Sequence, residues 1–444
     1  MIVRGTTLVK KIGINIKKYL EENTDLVAIF LFVIFYSMPF FKWSVGNVLE
    51  LVGLESLATP LILLGLYGGV FLLISIDKKY YIPDFFILLA SVVIFFVLTY
   101  LFHPEYNYVY FRDDYGVLTY VLRPDNGIYA YLFVRMLGKP ESLLKGLTVS
   151  ALITFFYSVI LFIFALERGF WVGENYLGER VYYSYDLNFG YNLVLPACTF
   201  FYNGMKKDKK VQLLFSIISI FMILIAGSRG PFLAISIFLG LYFLINFIKS
   251  ENKRRYIVFF ILVLALVIIL TRKNTIHSIQ IFLDNLGISS RTIDKILEGD
   301  IADGSGRGTI WTAAINHIKS NPLGSGAMGA REVLHRIHNV GHPHNFFLEI
   351  FIDYGIVLGS IFILAMLAGS GRVLFFQKNE KWKWVYLLFL AQAFTLLISY
   401  TYWHSTGIWG ALGAYVSWMI LENKKPMCCI KGKFYGKQNI KCNK

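Results

Sequence analysis

The chain has 444 residues, 56% apolar, 17% aromatic and only 16% charged. A soluble chain of this length carries about 25% charged residues, so the polar surface here is too small to cover a globule in water. A soluble enzyme, a secreted disulfide scaffold and a disordered chain are excluded. The formal net charge of +15 sits in short loops and tails between apolar runs, which is how a membrane protein orients itself and not how a nucleic-acid surface is laid out.

Eleven apolar runs have the length that a helix needs to cross the hydrocarbon core: 26–41, 57–76, 84–102, 146–166, 187–203, 211–227, 230–248, 256–271, 346–368, 384–400 and 406–421. A twelfth, 117–137, is interrupted by Arg123-Pro124-Asp125-Asn126. Those polar groups must face protein or water, so this run reads as a broken or re-entrant span. With twelve spans, 28 of the 43 lysines and arginines fall in segments 1–25, 77–83, 138–146, 204–210, 249–255, 369–383 and 422–444. These segments are therefore read as cytoplasmic. Eleven spans would leave one strongly basic terminus outside.

The expected fold class is all-α: a polytopic membrane protein with about twelve transmembrane helices and one large, partly helical extracytoplasmic loop. Residues 1–271 form the first nine spans, 272–343 the loop, 344–421 the last three spans and 422–444 a basic cytoplasmic tail. The stretch from Lys10 to Glu22 is basic and amphipathic, and reads equally as a helix lying on the inner surface or a plain tail. Cys198 lies in a span and Cys428, Cys429 and Cys442 in the inner tail, so no disulfide framework is expected.

Within loop 272–343, helical patterns run over 276–286, 289–298 and 308–320. Gly304-Ser305-Gly306-Arg307-Gly308 precedes the third, and Asn321-Pro322-Leu323-Gly324-Ser325-Gly326 ends it. A histidine-dense stretch follows: His335, His338, His342, His344. His338 and His342 have a spacing that permits zinc, but no carboxylate or cysteine pairs with them. Asp113-Asp114 beside Gly116 reads as a turn, with a metal-binding acidic pair as the alternative. No metal and no cofactor is expected.

The run Arg307…Trp311…Asn321-Pro322-Leu323-Gly324-Ser325-Gly326…His344-Asn345-x-x-Leu348-Glu349-x-x-x-Asp353-x-Gly355 resembles the signature of the O-antigen ligase and O-antigen polymerase family. Gly227-Ser228-Arg229-Gly230 at a helix hairpin, and Arg180 followed by Asn188 before a span, fit the same pattern. The resemblance covers about 180–360. In the family's pattern a small or hydroxyl residue stands three places after that glycine; here the position holds Leu358, with Gly359 next. The resemblance implies a bacterial membrane glycosyltransferase that takes a glycan from a polyprenyl diphosphate carrier, on the outer face of the cytoplasmic membrane. Its partners would be a polyprenyl-diphosphate-linked oligosaccharide donor, a glycan or lipid acceptor and other membrane proteins of polysaccharide assembly, with no nucleic acid.

That chemistry needs fixed cations for the departing diphosphate and a base for the acceptor hydroxyl; arginine and histidine suit these tasks. Arg229 stands at the outward end of a helix beginning Ser228-Arg229-Gly230-Pro231, where free N–H groups favour an anion. A snorkelling anchor is the bland reading of the same residue. Arg180 is a second diphosphate clamp or a surface arginine, and Arg307 a third clamp or the partner of Asp303. His344 is the expected base, with a structural histidine at the membrane interface as its bland reading. Glu349 and Asp353, four apart on one helix face, and Asn345 are expected to support it. A polymerase and a ligase are both compatible with this set. A transporter of the same lipid-linked glycan and a structural partner in an assembly complex are the readings from other classes.

Overall fold

A computed structural model describes residues 23–112, 116–125, 127–169, 171–174, 180–183, 187–206, 208–226, 229–251, 307–338 and 340–423, with isolated positions between 253 and 281. The run that opens the chain is bent by 81° at Ser37 into α1 (Thr24–Tyr36) and α2 (Met38–Glu50). Pro39 in the first turn of α2 has no amide to continue the ladder. Then come α3 (Ala58–Ile76), α4 (Pro83–Phe102), α5 (Tyr129–Leu137) and α6 (Pro140–Arg168). A short antiparallel hairpin, β1 (Trp171–Glu174) and β2 (Arg180–Tyr183), leads to α7 (Leu187–Lys206), α8 (Lys210–Ile225) and α9 (Arg229–Lys249). The second half holds α10 (Arg307–Ser320), α11 (Gly329–His338), α12 (Phe346–Gly371), α13 (Glu380–Ala393) and α14 (Thr406–Asn423).

That hairpin is the only strand pair among the described residues; their other regular elements are helical. Five of these helices are long and apolar enough to cross a membrane, or six with the bent α1–α2 pair counted as one. Span 256–271, most of the loop before Arg307, Asp113-Asp114 and the basic tail lie outside the described residues.

The weak span 117–137 is broken. A π-type turn covers Val117–Val121, and α5 starts only at Tyr129. Between them Asp125 is gripped by Lys42 at 2.6 Å and Arg123 at 2.7 Å, so the polar residues face protein, as apolar surroundings demand. Gly127 has φ +49, and a Cβ there would lie 2.5 Å from the Trp403 carbonyl oxygen, so the break packs directly on the loop before α14.

Polar contacts sort by end. Asp25 pairs with Lys79 and Lys139, Lys249 with Glu380, and Lys381 with Glu141; all lie in segments read as cytoplasmic. At the opposite end of α7, Asn188 accepts a hydrogen bond from Tyr400, and Tyr108 donates to Glu332. The main apolar core joins α1, α3–α9, α13 and α14. A smaller one, built on Phe96, Tyr110, Met328, Ile350, Tyr402 and Trp403, lies beneath the histidine segment.

Candidate active site

The scaffold of the site is a break in a helix. Gly355 in α12 has φ +75 and ψ 177, an extended positive-φ conformation open essentially to glycine, which costs a side-chain-bearing residue about 1–3 kcal/mol. The break frees two carbonyls, and the loop between α10 and α11 takes them. Ser325 N donates to Ile352 O at 2.7 Å and Gly326 N to Asp353 O at 3.1 Å, while Ile356 N donates to Pro322 O at 2.8 Å. The loop is pinned from its other side by α4 and the turn after it: Ala327 N donates to Thr99 Oγ1 at 2.9 Å and Tyr110 OH to Ala327 O at 2.7 Å. The Asn-Pro-Leu-Gly-Ser-Gly string thus fixes α10 and α11 against α12.

The histidine segment sits over this clamp. Trp311 Nε1 of α10 donates to Pro343 O at 2.9 Å. Asn345 caps α12, its side chain accepting from Phe347 N at 3.0 Å and Leu348 N at 3.2 Å. Between them His344 has φ +51, an uncommon conformation for a residue with a side chain. It brings the His342 and His344 rings edge to face, centroids 4.3 Å apart. Among the described residues neither His342 Nε2 nor His344 Nδ1 has a hydrogen-bond partner. Burial, with the Arg307 guanidinium nearby, pushes the His344 imidazole down to about 4. Burial and the neighbouring His344 push His342 well below the usual histidine range. Both rings are therefore neutral at pH 7, and a neutral imidazole can accept a proton.

Cations and aromatic rings surround this pair. Arg307, the first residue of α10, acts electrostatically on both His344 and Tyr191. Tyr191 in turn touches the start of α9: a Cβ on Gly230 would lie 2.5 Å from its hydroxyl oxygen. The backbone of Arg229 is thereby next to the same phenol. Tyr191 meets Tyr400 edge to face at 4.5 Å, and Tyr400 donates to Asn188. On the far side the Arg331 guanidinium lies 4.8 Å above the Tyr120 ring, which stacks on His404 at 4.3 Å.

Glu349 and Asp353 are buried beneath the 401–403 loop. Glu349 accepts from Thr401 Oγ1 and, at 3.4 Å, from Tyr402 N. Asp353 accepts from Tyr402 OH at 2.6 Å and Trp403 Nε1 at 3.2 Å. Their described partners hold that loop in place below Tyr400 and His404. Arg180 lies in β2, its backbone opposite Glu174; Arg229 opens α9. Both side chains lie outside the described residues. No group of three or more His, Cys, Asp or Glu that could hold a metal ion occurs among the described residues.

Sequence reasoning did not single out Arg331, Tyr191, Tyr120, Tyr400 or His404. The one available signal was Arg331-Glu332 opening an otherwise mixed stretch in a chain poor in charge. Both side chains are under 10% exposed.

Residues 214–363 match the family model described as O-antigen ligase, which carries α8 to the first half of α12 and with them Arg229, Arg307, Arg331, His342, His344 and Gly355. Over that stretch, about a third of the chain, it is similar to the O-antigen ligase family. No curated protein and no solved structure matches the chain.

Proposed function

We propose, from the O-antigen ligase family as premise, that this protein is a polysaccharide polymerase. It transfers a glycan from a polyprenyl diphosphate carrier to a sugar hydroxyl on the outer face of a bacterial cytoplasmic membrane. The observation that supports this most is the gathering of Arg307, the start of α9 and the neutral His344 around Tyr191 at one end of the helices. Twelve spans with both termini inside, and the domain limits 1–271, 272–343, 344–421 and 422–444, complete the reading.

In the reaction an acceptor hydroxyl oxygen bonds to the anomeric carbon while the carbon–oxygen bond to the diphosphate breaks. The leaving diphosphate takes the bonding electrons, and the hydroxyl proton passes to His344. Arg229, Arg307 and Arg180 bear on the diphosphate oxygens, where charge grows in the transition state. A base held down to about 4 in the free protein is a weak one. A bound diphosphate would offset Arg307 and draw the imidazole back up towards neutral pH, so the donor itself readies the base. Asn345 and the buried pair Glu349 and Asp353 act by holding the histidine segment and the 401–403 loop. No metal is needed where guanidinium groups meet the diphosphate.

Purified protein in lipid nanodiscs, given a polyprenyl-diphosphate-linked repeat unit alone, tests this reading. A ladder of longer lipid-linked glycans is expected. Transfer only when a second lipid acceptor is added would assign a ligase instead, and neither product would favour a transporter or a structural partner.

A further inference from the structure

At the end of the bundle away from the histidines, α7, α9 and α13 each deliver one lysine to a common cleft. Lys206 ends α7, Lys249 ends α9 and Lys383 lies in the first turns of α13. The three ammonium groups act directly on one another: Lys383 on Lys206, and both on Lys249. One carboxylate stands among them, Glu380, and it is already engaged by Lys249. Lys381 next door is turned away to Glu141 at 2.8 Å.

Lys383 is the telling member. Its side chain is 0% exposed, and its Nζ is 3.7 Å from the Glu380 oxygen, beyond hydrogen-bonding range. Among the described residues that ammonium makes no hydrogen bond. Lys206 is held beside it, donating to Asn246 Oδ1 at 2.8 Å and lying 5.1 Å from the centre of the Trp384 ring. Three cations against one carboxylate leave an excess of positive charge in a partly buried cleft, a costly arrangement unless an anion completes it. The sequence after α14 adds positive charge only: residues 424–444 contain seven lysines and no Asp or Glu.

We propose that Lys206, Lys249 and Lys383 form a binding site for a phosphate group, filled by the headgroup of an anionic phospholipid from the leaflet on the lysine-rich side. The three lysines lie at the ends of α7 and α9 and in the first turn of α13, in segments read as cytoplasmic, and basic pockets between membrane helices on that side take anionic lipid. Lysine suits a phosphodiester met at varying depth, because its ammonium is a point charge on a flexible stem.

The test compares wild type with Lys383→Met and Lys249→Gln, the latter at a side chain 43% exposed whose ion pair with Glu380 is at the surface and so worth little to folding. Native mass spectrometry after mild detergent extraction reads the retained lipid. Thermal unfolding in phosphatidylglycerol against phosphatidylcholine nanodiscs, and in detergent with inorganic phosphate, reads the source. Wild type should retain phosphatidylglycerol and melt higher in its nanodiscs, and each variant should hold roughly tenfold less or weaker. Stabilisation of wild type by inorganic phosphate, lost in both variants and with no retained lipid, would keep the phosphate site but replace the lipid by a soluble anion. Equal lipid retention and equal melting in all three proteins, with no response to phosphate, would overturn the site. Glycan transfer is not the readout, so failure here is separable from failure of the polymerase reading.

Discussion

Gly324 and Gly355 meet backbone to backbone. A Cβ on Gly324 would lie 2.4 Å from Gly355 N, and one on Gly355 would lie 2.4 Å from the Leu323 carbonyl carbon. The two glycines of the family signature therefore belong to one structural device, the docking of a turn-rich loop onto a broken helix. Everything above it, from the Asn345 cap to the two histidine rings, takes its position from that contact.

Gly355→Ala should consequently be among the most damaging small changes in the protein. It puts an alanine into a positive-φ region open essentially to glycine, at about 1–3 kcal/mol, and adds a backbone overlap that only movement of the loop can relieve. The melting temperature should fall by several degrees or more, with transfer activity lost in parallel. Gly240→Ala in α9, where an added Cβ meets nothing within 4 Å, should be neutral or slightly stabilising. Equal melting of both variants would remove the clamp from the account.

The strings that make this clamp were visible in the sequence; their docking was not. Asn321–Gly326 reads as a turn and Gly355 as one glycine in an apolar run, and periodicity offers no hint that the two exchange hydrogen bonds. The long helices were legible because hydropathy alone carries them, and the break before α5 because Pro124 and Asp125 cannot sit in a plain span. Hairpin 171–183 was missed, its few Tyr, Val and Gly residues giving no alternating face. The ring of aromatic residues was hidden for a different reason: Asn188 and Tyr400 are separated by 212 positions, and only folding makes them neighbours.

Tyr402 ties the loop before α14 to Asp353. In Tyr402→Phe the buried carboxylate loses its 2.6 Å donor and keeps Trp403 Nε1 at 3.2 Å. Leaving a buried acceptor short costs about 1–3 kcal/mol. Unfolding measurements should show that loss, and Asp353→Asn should show a comparable one. Unchanged stability in both would mean that the carboxylate is solvated and not held by the loop.

Activity of the purified protein should survive EDTA, since the guanidinium groups carry the diphosphate charge in the proposed mechanism. Loss of turnover that zinc or magnesium restores would revive a metal reading centred on His338 and His342, or on Asp113 and Asp114.

The depressed His344 imidazole sets a pH signature. Its folded value is about 4 against about 6.5 for an unperturbed histidine. The unfolded chain thus binds the extra proton first as pH falls. The neutral ring's contribution to stability is complete above about pH 6.5 and is lost as pH drops towards 4. The same ring stays competent as a base in the free protein down to about pH 5, so kcat/KM should hold level through pH 6 and fall only below it. In kcat the acid limb should lie at higher pH, because bound diphosphate favours the imidazolium. An acid limb of kcat/KM near 6.5 would show that the ring is not desolvated as the structure has it.

Arg229 gives the sharpest test of the site. It opens α9, and Gly230 beside it is pressed against the Tyr191 phenol that Arg307 also faces. If Arg229 grips the diphosphate, Arg229→Lys keeps the charge but loses the planar fork. Charge-assisted bonds of this kind are worth about 1.5–3 kcal/mol, roughly ten- to a hundredfold in rate when felt in the transition state. Arg307→Ala and Arg180→Ala should fall in the same range. His344→Ala should lose the base and with it about 10²–10⁴-fold. Expression and melting should be near wild type for Arg229→Lys, which separates chemistry from folding. Wild-type rates in both Arg229→Lys and His344→Ala would remove the catalytic assignment and bring the transporter reading forward.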